Sequence, residues 1–172
     1  ASIDRFLFFF CFDAWNARMD AGLSFAEGIA AQSARFPQYR SLFEAFFERW
    51  SEAVGDVIPE SLELLQTLRK NGIRTYALTN FSSENYPLAS QRFPFINDFD
   101  GSIVSGHEGV CKPDPAIYAL LFERYSITPE RAVFIDDKLE NVEAARRLGM
   151  HGIHFTDPQA LPSALRALGL PV

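Results

Sequence analysis

Apolar residues recur every three or four positions in the first third of the chain. Between residues 39 and 54 they form one wide aromatic stripe, and charged residues occupy the other faces. This spacing is that of an amphipathic helix, and such a stripe is typical of a helix packed in a protein core. Ser24 and Glu27 match the capping box that begins a helix, and Gly55 provides a helix stop. The pattern therefore predicts helical structure over residues 24–54.

From residue 59 onward, short apolar runs alternate with helical segments. The predicted strands cover residues 73–78, 102–104, 132–135 and 151–155. The predicted helices cover residues 60–70, 83–91, 113–125 and 139–148, and a last helix ends near residue 168. Such alternation favours a parallel sheet covered on both faces, because right-handed crossovers place the helices outside the sheet. We therefore expect an α/β fold with a doubly wound parallel sheet, preceded by a helical region.

The net charge and the cysteine content exclude some classes of protein. The 172 residues carry 16 Lys and Arg against 22 Asp and Glu, a net charge of −6, which argues against a nucleic-acid partner. The two cysteines, Cys11 and Cys111, provide neither a disulfide framework nor a metal spacing, so we expect a cytoplasmic protein. A Phe-rich run at residues 6–12 is shorter than the ~18 residues that span a bilayer, so we expect no membrane partner. These features do not indicate an oligomeric state.

Polar side chains follow three of the predicted strands. Thr79 and Asn80 come after the first strand, a loop after the second reaches Lys112, and Asp136 and Asp137 come after the third. In an open parallel sheet, ligands bind beyond the carboxyl ends of the strands. We therefore expect a hydroxyl, an ammonium and two carboxylates to gather at one edge of the sheet.

Each of these residues also has a purely structural interpretation. Adjacent carboxylates at Asp136 and Asp137 suit a hard cation such as Mg²⁺, but Asp137 could instead cap the following helix. Lys112 lies in a loop stiffened by prolines, although most loop lysines are solvated surface charges. Thr79 and Asn80 could bind an anion through a hydroxyl and backbone N–H groups, or form only a turn.

In their order along the chain, these residues resemble the haloacid dehalogenase (HAD) superfamily of hydrolases, in particular its phosphatase-type members with a helical cap. Residues 77–80 (Ala-Leu-Thr-Asn) are similar to its second motif and residues 112–115 (Lys-Pro-Asp-Pro) to its third. Residues 134–137 (Phe-Ile-Asp-Asp), with Asn141, are similar to its fourth motif. The resemblance implies a Rossmann-like core over residues 58–172 and an inserted helical cap over residues 1–57.

The same resemblance implies a Mg²⁺-dependent phosphatase that acts on a small phosphorylated metabolite through an aspartyl-phosphate, with a sugar phosphate as the first expectation. Thr79 would bind the transferring phosphoryl group, helped by the Asn80 backbone. Lys112 would offset the charge between nucleophile and phosphate. Asp136 and Asp137 would hold Mg²⁺, with Asn141 supporting the site.

The family's nucleophile is an aspartate at the end of the first core strand. We expect that strand and its aspartate to lie before Ala1, with Asp13 as the alternative within this chain. One competing function is a 2-haloacid dehalogenase, which needs no metal and carries small uncharged residues in place of the aspartate pair. Another is a non-catalytic binding protein that keeps the fold. Lys138 departs from the small residue common at its position, and would either point to solvent or weaken Mg²⁺ binding.

Overall fold

The structure, a computed structural model, describes residues 12–172. The Phe-rich run up to residue 11 and the cysteine at that position lie outside the described residues. The helices are α1 (Phe12–Asp20), α2 (Phe25–Arg35), α3 (Arg40–Glu48), α4 (Trp50–Ala53), α5 (Pro59–Lys70), α6 (Tyr86–Arg92), α7 (Ser105–Glu108), α8 (Pro115–Tyr125), α9 (Leu139–Arg147) and α10 (Leu161–Ala167). The strands are β1 (Tyr76–Thr79), β2 (Gly101–Val104), β3 (Val133–Asp136) and β4 (His151–His154). None of the helices in this described part has the length and apolar character needed to cross a bilayer.

The chain divides into two compact units. Among the described residues, the helical unit comprises those up to Gly55 together with Thr79–Pro94 and Val104–Cys111. The α/β unit comprises Asp56–Leu78, Phe95–Ile103 and Lys112–Val172. The assignment of residues 1–57 to a cap and 58–172 to a core stays a prediction.

The helical unit is built on a close approach of α1 and α2. Trp15 Nε1 donates a hydrogen bond to the carbonyl oxygen of Gly28 at 2.9 Å. A Cβ atom at residue 28 would lie 2.7 Å from Met19 Sδ, so glycine allows the two helices to meet. Phe43 of α3 completes this core, which confirms that the aromatic stripe packs against neighbouring helices.

Two features of the helical unit differ from the sequence prediction. The capping box of Ser24 and Glu27 is present, but the helical region is broken into separate helices, and α3 ends before Arg49. Helix α1 was not predicted, because its first turn continues the Phe-rich run and so conceals the helical spacing.

In the α/β unit, β3 and β4 form a parallel pair. The register aligns Val133 with His151 and Asp136 with His154. Helix α9 packs on both strands, and its residue Val142 is fully buried. Leucines of α5 and α10 form a further buried cluster, which consists of Leu64, Leu68, Leu161 and Leu165. The parallel pairing confirms the predicted relation of these two strands.

The other strands, β1 and β2, form a separate pair, so the described strands make two two-stranded sheets. Strand β1 begins three residues later than the apolar run predicts. Its predicted first residue, Ile73, instead donates its backbone N–H to Leu68 at the end of α5. The N–H of Thr75 is taken by the Asp100 carboxylate at 2.7 Å. These backbone groups are therefore satisfied outside a sheet.

Candidate active site

A buried ion pair lies at the carboxyl ends of β1 and β3. Lys112 Nζ donates to Asp136 Oδ2 at 2.7 Å and to the carbonyl oxygen of Leu78 at 2.7 Å. The two side chains are only 9% and 6% exposed. Lys112 is therefore not a solvated surface charge. The expected gathering at the strand ends is confirmed for Lys112 and Asp136.

The other oxygen of Asp136 is held by the start of α9. Asp136 Oδ1 accepts hydrogen bonds from the Lys138 backbone N–H at 2.8 Å and from Asn141 Nδ2 at 2.9 Å. Burial alone would raise the pKa of Asp136, but the hydrogen bond and charge of Lys112, together with these two donors, lower it below its ordinary value. The site therefore contains a carboxylate held in its ionised form.

Asn141 is fixed on both its backbone and its side chain. The buried Tyr118 hydroxyl donates to the Asn141 carbonyl oxygen at 2.9 Å. Asn141 Oδ1 is buried and has no hydrogen-bond partner among residues 12–172. A buried acceptor in this state calls for a donor or a cation that the described protein atoms do not provide.

Asp137 and Lys138 have exposed side chains. The alternative in which Asp137 caps the following helix is wrong, because Lys138 occupies the N-cap position of α9 and no side chain caps that helix. From the sequence, His154 is expected only as a packing or rim residue beside a strand. Its Nε2 lies 2.9 Å from the Asp137 carbonyl oxygen and donates to it, since a carbonyl can only accept. The parallel register that aligns His154 with Asp136 is the signal that could have predicted this contact.

The oxygen atoms near the end of β3 are of the type that binds a hard cation. Asp136, Asp137 and the unpartnered Asn141 Oδ1 all offer oxygen atoms, the type of ligand that Mg²⁺ prefers. A carboxylate has roughly four lone-pair sites, and the donors to Asp136 described above leave room for a further contact. Within the described part of the chain, no cluster of three or more His, Cys, Asp or Glu side chains is arranged to hold a metal.

The remaining candidate residues lie in the helical unit. Thr79 is the last residue of β1, Asn80 follows it, and both are half-buried. Their approach to Lys112 stays a prediction. Asp13, the alternative nucleophile, lies in the first turn of α1 with an exposed side chain, so it does not stand at the end of a strand.

Comparison with known proteins decides the family. A family model described as haloacid dehalogenase-like hydrolase matches residues 12–149. The chain belongs to the HAD-like hydrolases. A HAD family enzyme from Bacteroides thetaiotaomicron superposes with a TM-score of 0.71 at 21% identity, covering 89% of this chain and 77% of that one. The expected α/β fold of the family is therefore confirmed.

Two relatives of this HAD-like hydrolase have different names. Mouse acyl-CoA dehydrogenase family member 10 is 36% identical over 148 residues, which cover 84% of this chain and 13% of that protein. Sesquiterpene phosphatase astK of Aspergillus oryzae is 35% identical over 105 residues, which cover 61% of this chain and 54% of that protein. The chain thus matches about half, or much less, of the length of these relatives.

Proposed function

We propose that this HAD-like hydrolase is a Mg²⁺-dependent phosphatase of a small phosphorylated metabolite, with a sugar phosphate as the first candidate. The observation that carries the proposal is the buried Lys112–Asp136 pair at the strand ends. Relatives named as phosphatases support it. A further crystal structure of the Bacteroides enzyme, at a TM-score of 0.68 and 23% identity, holds magnesium and inorganic phosphate and supports it as well.

In this proposal, the chain's own residues bind and neutralise the phosphoryl group. Thr79 donates its hydroxyl, and Asn80 its backbone N–H, to phosphoryl oxygens. Lys112 offsets negative charge as an aspartate oxygen attacks phosphorus in line. The bond from phosphorus to the ester oxygen breaks, the alcohol leaves with a proton from water, and a second water hydrolyses the aspartyl-phosphate to inorganic phosphate. Preorganised donors of this kind stabilise the charge that spreads over the equatorial oxygens during phosphoryl transfer. Burial of Lys112 strengthens its effect, because screening by water is weak there.

Asp136 and Asp137 would hold the magnesium ion, with Asn141 beside them. When bound, a divalent cation supplies charge stabilisation and orients the phosphoryl oxygens. Asp136 is positioned by Lys112 and by the start of α9, whereas Asp137 has its side chain exposed and its carbonyl held by His154. The protein therefore keeps the pair at a fixed strand end.

The test is hydrolysis of p-nitrophenyl phosphate by the full-length protein. We expect phosphate release that needs Mg²⁺, and an Asp137→Asn variant that loses at least ~100-fold in activity, since even indirect metal contacts typically contribute 10–100-fold. Asp98→Asn removes an exposed aspartate that the proposal does not use, and should leave activity unchanged. Full activity of Asp137→Asn would refute the metal assignment, and chloride release from a 2-haloacid without Mg²⁺ would favour a dehalogenase.

A second candidate function is a non-catalytic binding protein. The observation that favours it concerns the described residues alone: Asp13 lies in a helix, and the carboxylates at the end of β3 are those assigned to the metal. Such a protein would bind inorganic phosphate, measured by calorimetry, without turning over any phosphate monoester. Turnover by the full-length protein, and its survival in Asp13→Asn, would instead support catalysis by an aspartate other than Asp13.

A further inference from the structure

The backbone that follows Thr79 and Asn80 is held by the first two residues of α7, directly after β2. The Phe81 backbone N–H donates to Ser105 Oγ at 2.9 Å, and the Phe81 carbonyl oxygen accepts from the Gly106 N–H at 3.0 Å. Both polar groups of one residue are thus satisfied from the same neighbouring dipeptide. Ser105 is completely buried, so water does not compete for its hydroxyl.

Gly106 contributes to this contact through its lack of a side chain as well as through its hydrogen bond. A Cβ atom at residue 106 would lie 2.4 Å from the backbone nitrogen of Ser83 and 2.7 Å from the carbonyl oxygen of Phe81. These are backbone atoms that cannot turn aside as a flexible side chain could. The segment after Asn80 therefore rests directly on residue 106, and any side chain there would push it away.

We propose that Ser105 and Gly106 are positioning residues for the phosphate-binding loop formed by Thr79 and Asn80. This inference rests on the phosphatase function proposed above. Thr79 is the last residue of β1, and Phe81, the residue that follows Asn80, is held by Ser105 and Gly106. Donors act on a transition state in proportion to how well they are preorganised, and a small displacement of a positioned group lowers the rate markedly.

The Ser105–Phe81 hydrogen bond should affect phosphate binding, which ordinary packing would not do selectively. Loss of the Ser105 hydroxyl removes the acceptor of the half-buried Phe81 N–H, so the loop is held less firmly where it should bind phosphate. The predicted metal ligands Asp136 and Asp137 lie on a different strand end, which Ser105 does not hold. We therefore expect phosphate binding and turnover to weaken while the Mg²⁺ dependence stays unchanged.

The experiment compares Ser105→Ala with Ser33→Ala in the full-length protein. Ser33 is also a buried serine of the helical unit, but its hydroxyl has no partner among the described residues, so its removal is the matched control. The measurements are kcat and KM, the inhibition constant of inorganic phosphate, the Mg²⁺ concentration for half-maximal activity, and hydrogen exchange of the Phe81 amide. The melting temperature is measured as well, because it reports general damage to the fold.

We expect Ser105→Ala to speed exchange of the Phe81 amide, and to raise the phosphate inhibition constant and lower kcat by ~3- to 10-fold each, the size of one neutral hydrogen bond. The Mg²⁺ requirement should stay the same, and Ser33→Ala should change none of these. Gly106→Ala keeps the Ser105 hydroxyl but displaces Phe81. Like Ser105→Ala, it should therefore weaken phosphate binding.

Three results would overturn the inference. Faster Phe81 exchange with unchanged phosphate inhibition and kcat would show that the contact is structural only. Equal losses in Ser105→Ala and Ser33→Ala would show that burial rather than the hydrogen bond matters. Absence of phosphate binding and hydrolysis in the unaltered protein would refute the proposed function and this inference with it, whereas activity that Ser105→Ala leaves intact refutes this inference alone.

Discussion

Replacing Lys112 by methionine measures the free energy held in the buried ion pair, because methionine keeps most of the apolar stem and removes the ammonium. The Asp136 side chain is only 6% exposed, so the carboxylate left behind is desolvated. Breaking a buried pair in this way costs about 3–5 kcal/mol. Since Asp136 keeps the N–H donors of Lys138 and Asn141, we expect the lower end, about 3 kcal/mol of unfolding free energy.

Urea unfolding followed by circular dichroism provides the measurement. With a slope of about 2 kcal/mol per molar urea, the expected loss lowers the unfolding midpoint by about 1.5 M. Arg40→Met is the matched control, because Arg40 pairs with Glu44 at the surface, where the side chains are 69% and 41% exposed. An exposed pair of this kind contributes less than about 0.5 kcal/mol.

A double-mutant cycle separates the pair from its surroundings. Asp136→Asn keeps the size of the side chain and removes its charge, so the double variant with Lys112→Met has no isolated charge left in the site. We expect the double variant to be about 2 kcal/mol more stable than the sum of the two single losses predicts, within the range measured for residues in contact. Additive losses, or a Lys112→Met effect as small as that of Arg40→Met, would show that the buried pair contributes no more than a surface pair.

Two further predictions concern the helical unit. Gly28→Ala should destabilise the protein by about 1–3 kcal/mol, because its Cβ would press on Met19 Sδ, whereas Gly55→Ala, with nothing nearby, should be almost neutral in thermal unfolding. Ser24→Ala should lower the free energy of unfolding by about 1 kcal/mol at neutral pH, because it removes the helix cap. The pKa of Glu27 is lowered by its side-chain and backbone hydrogen bonds to Ser24, so the part of the cap that uses the Glu27 carboxylate is present above the ordinary pKa and is lost as the pH falls through the lowered one. The bond from the Glu27 N–H to the Ser24 hydroxyl does not depend on pH. The difference in unfolding free energy between the unaltered protein and Ser24→Ala should therefore narrow in acid without vanishing, and an equal difference at every pH would contradict the capping-box argument.

From residue 59 onward, hydrophobic spacing predicted the order of the four strands and of every helix except the short α7, but not the ends of these elements. The helix predicted from residue 60 and the strand predicted from residue 132 both occur, at Pro59–Lys70 and Val133–Asp136. The strand predicted from Ile73 starts later because the backbone at that point is used to close α5 and to bind Asp100. Hydrophobic spacing indicates which side chains are buried. The end of a helix or strand depends instead on which group elsewhere in the chain bonds to its backbone.

The site was predictable where it depends on strand ends, and unpredictable where it depends on backbone contacts. Lys112 and Asp136 could be paired from their positions after apolar runs, because parallel strands end at a common edge. The contacts of His154 with the Asp137 carbonyl and of Ser105 with the Phe81 N–H involve backbone atoms that every residue has. No residue type marks the backbone partner in advance, so only the fold reveals these contacts.

The two neighbouring aspartates carry different tasks in this arrangement. Both oxygens of Asp136 accept hydrogen bonds from the protein, and Lys112, which also donates to Leu78 of β1, balances its charge. Asp136 is therefore held by Lys112 and by the start of α9 before any ligand arrives. Asp137 has an exposed side chain, and in the proposed function its carboxylate attracts the cation. Substitution of Asp136 should therefore be read first as a change in stability, and that of Asp137 as a change in metal binding. A loss of activity in an Asp136 variant carries no information about the metal until its unfolding free energy has been measured.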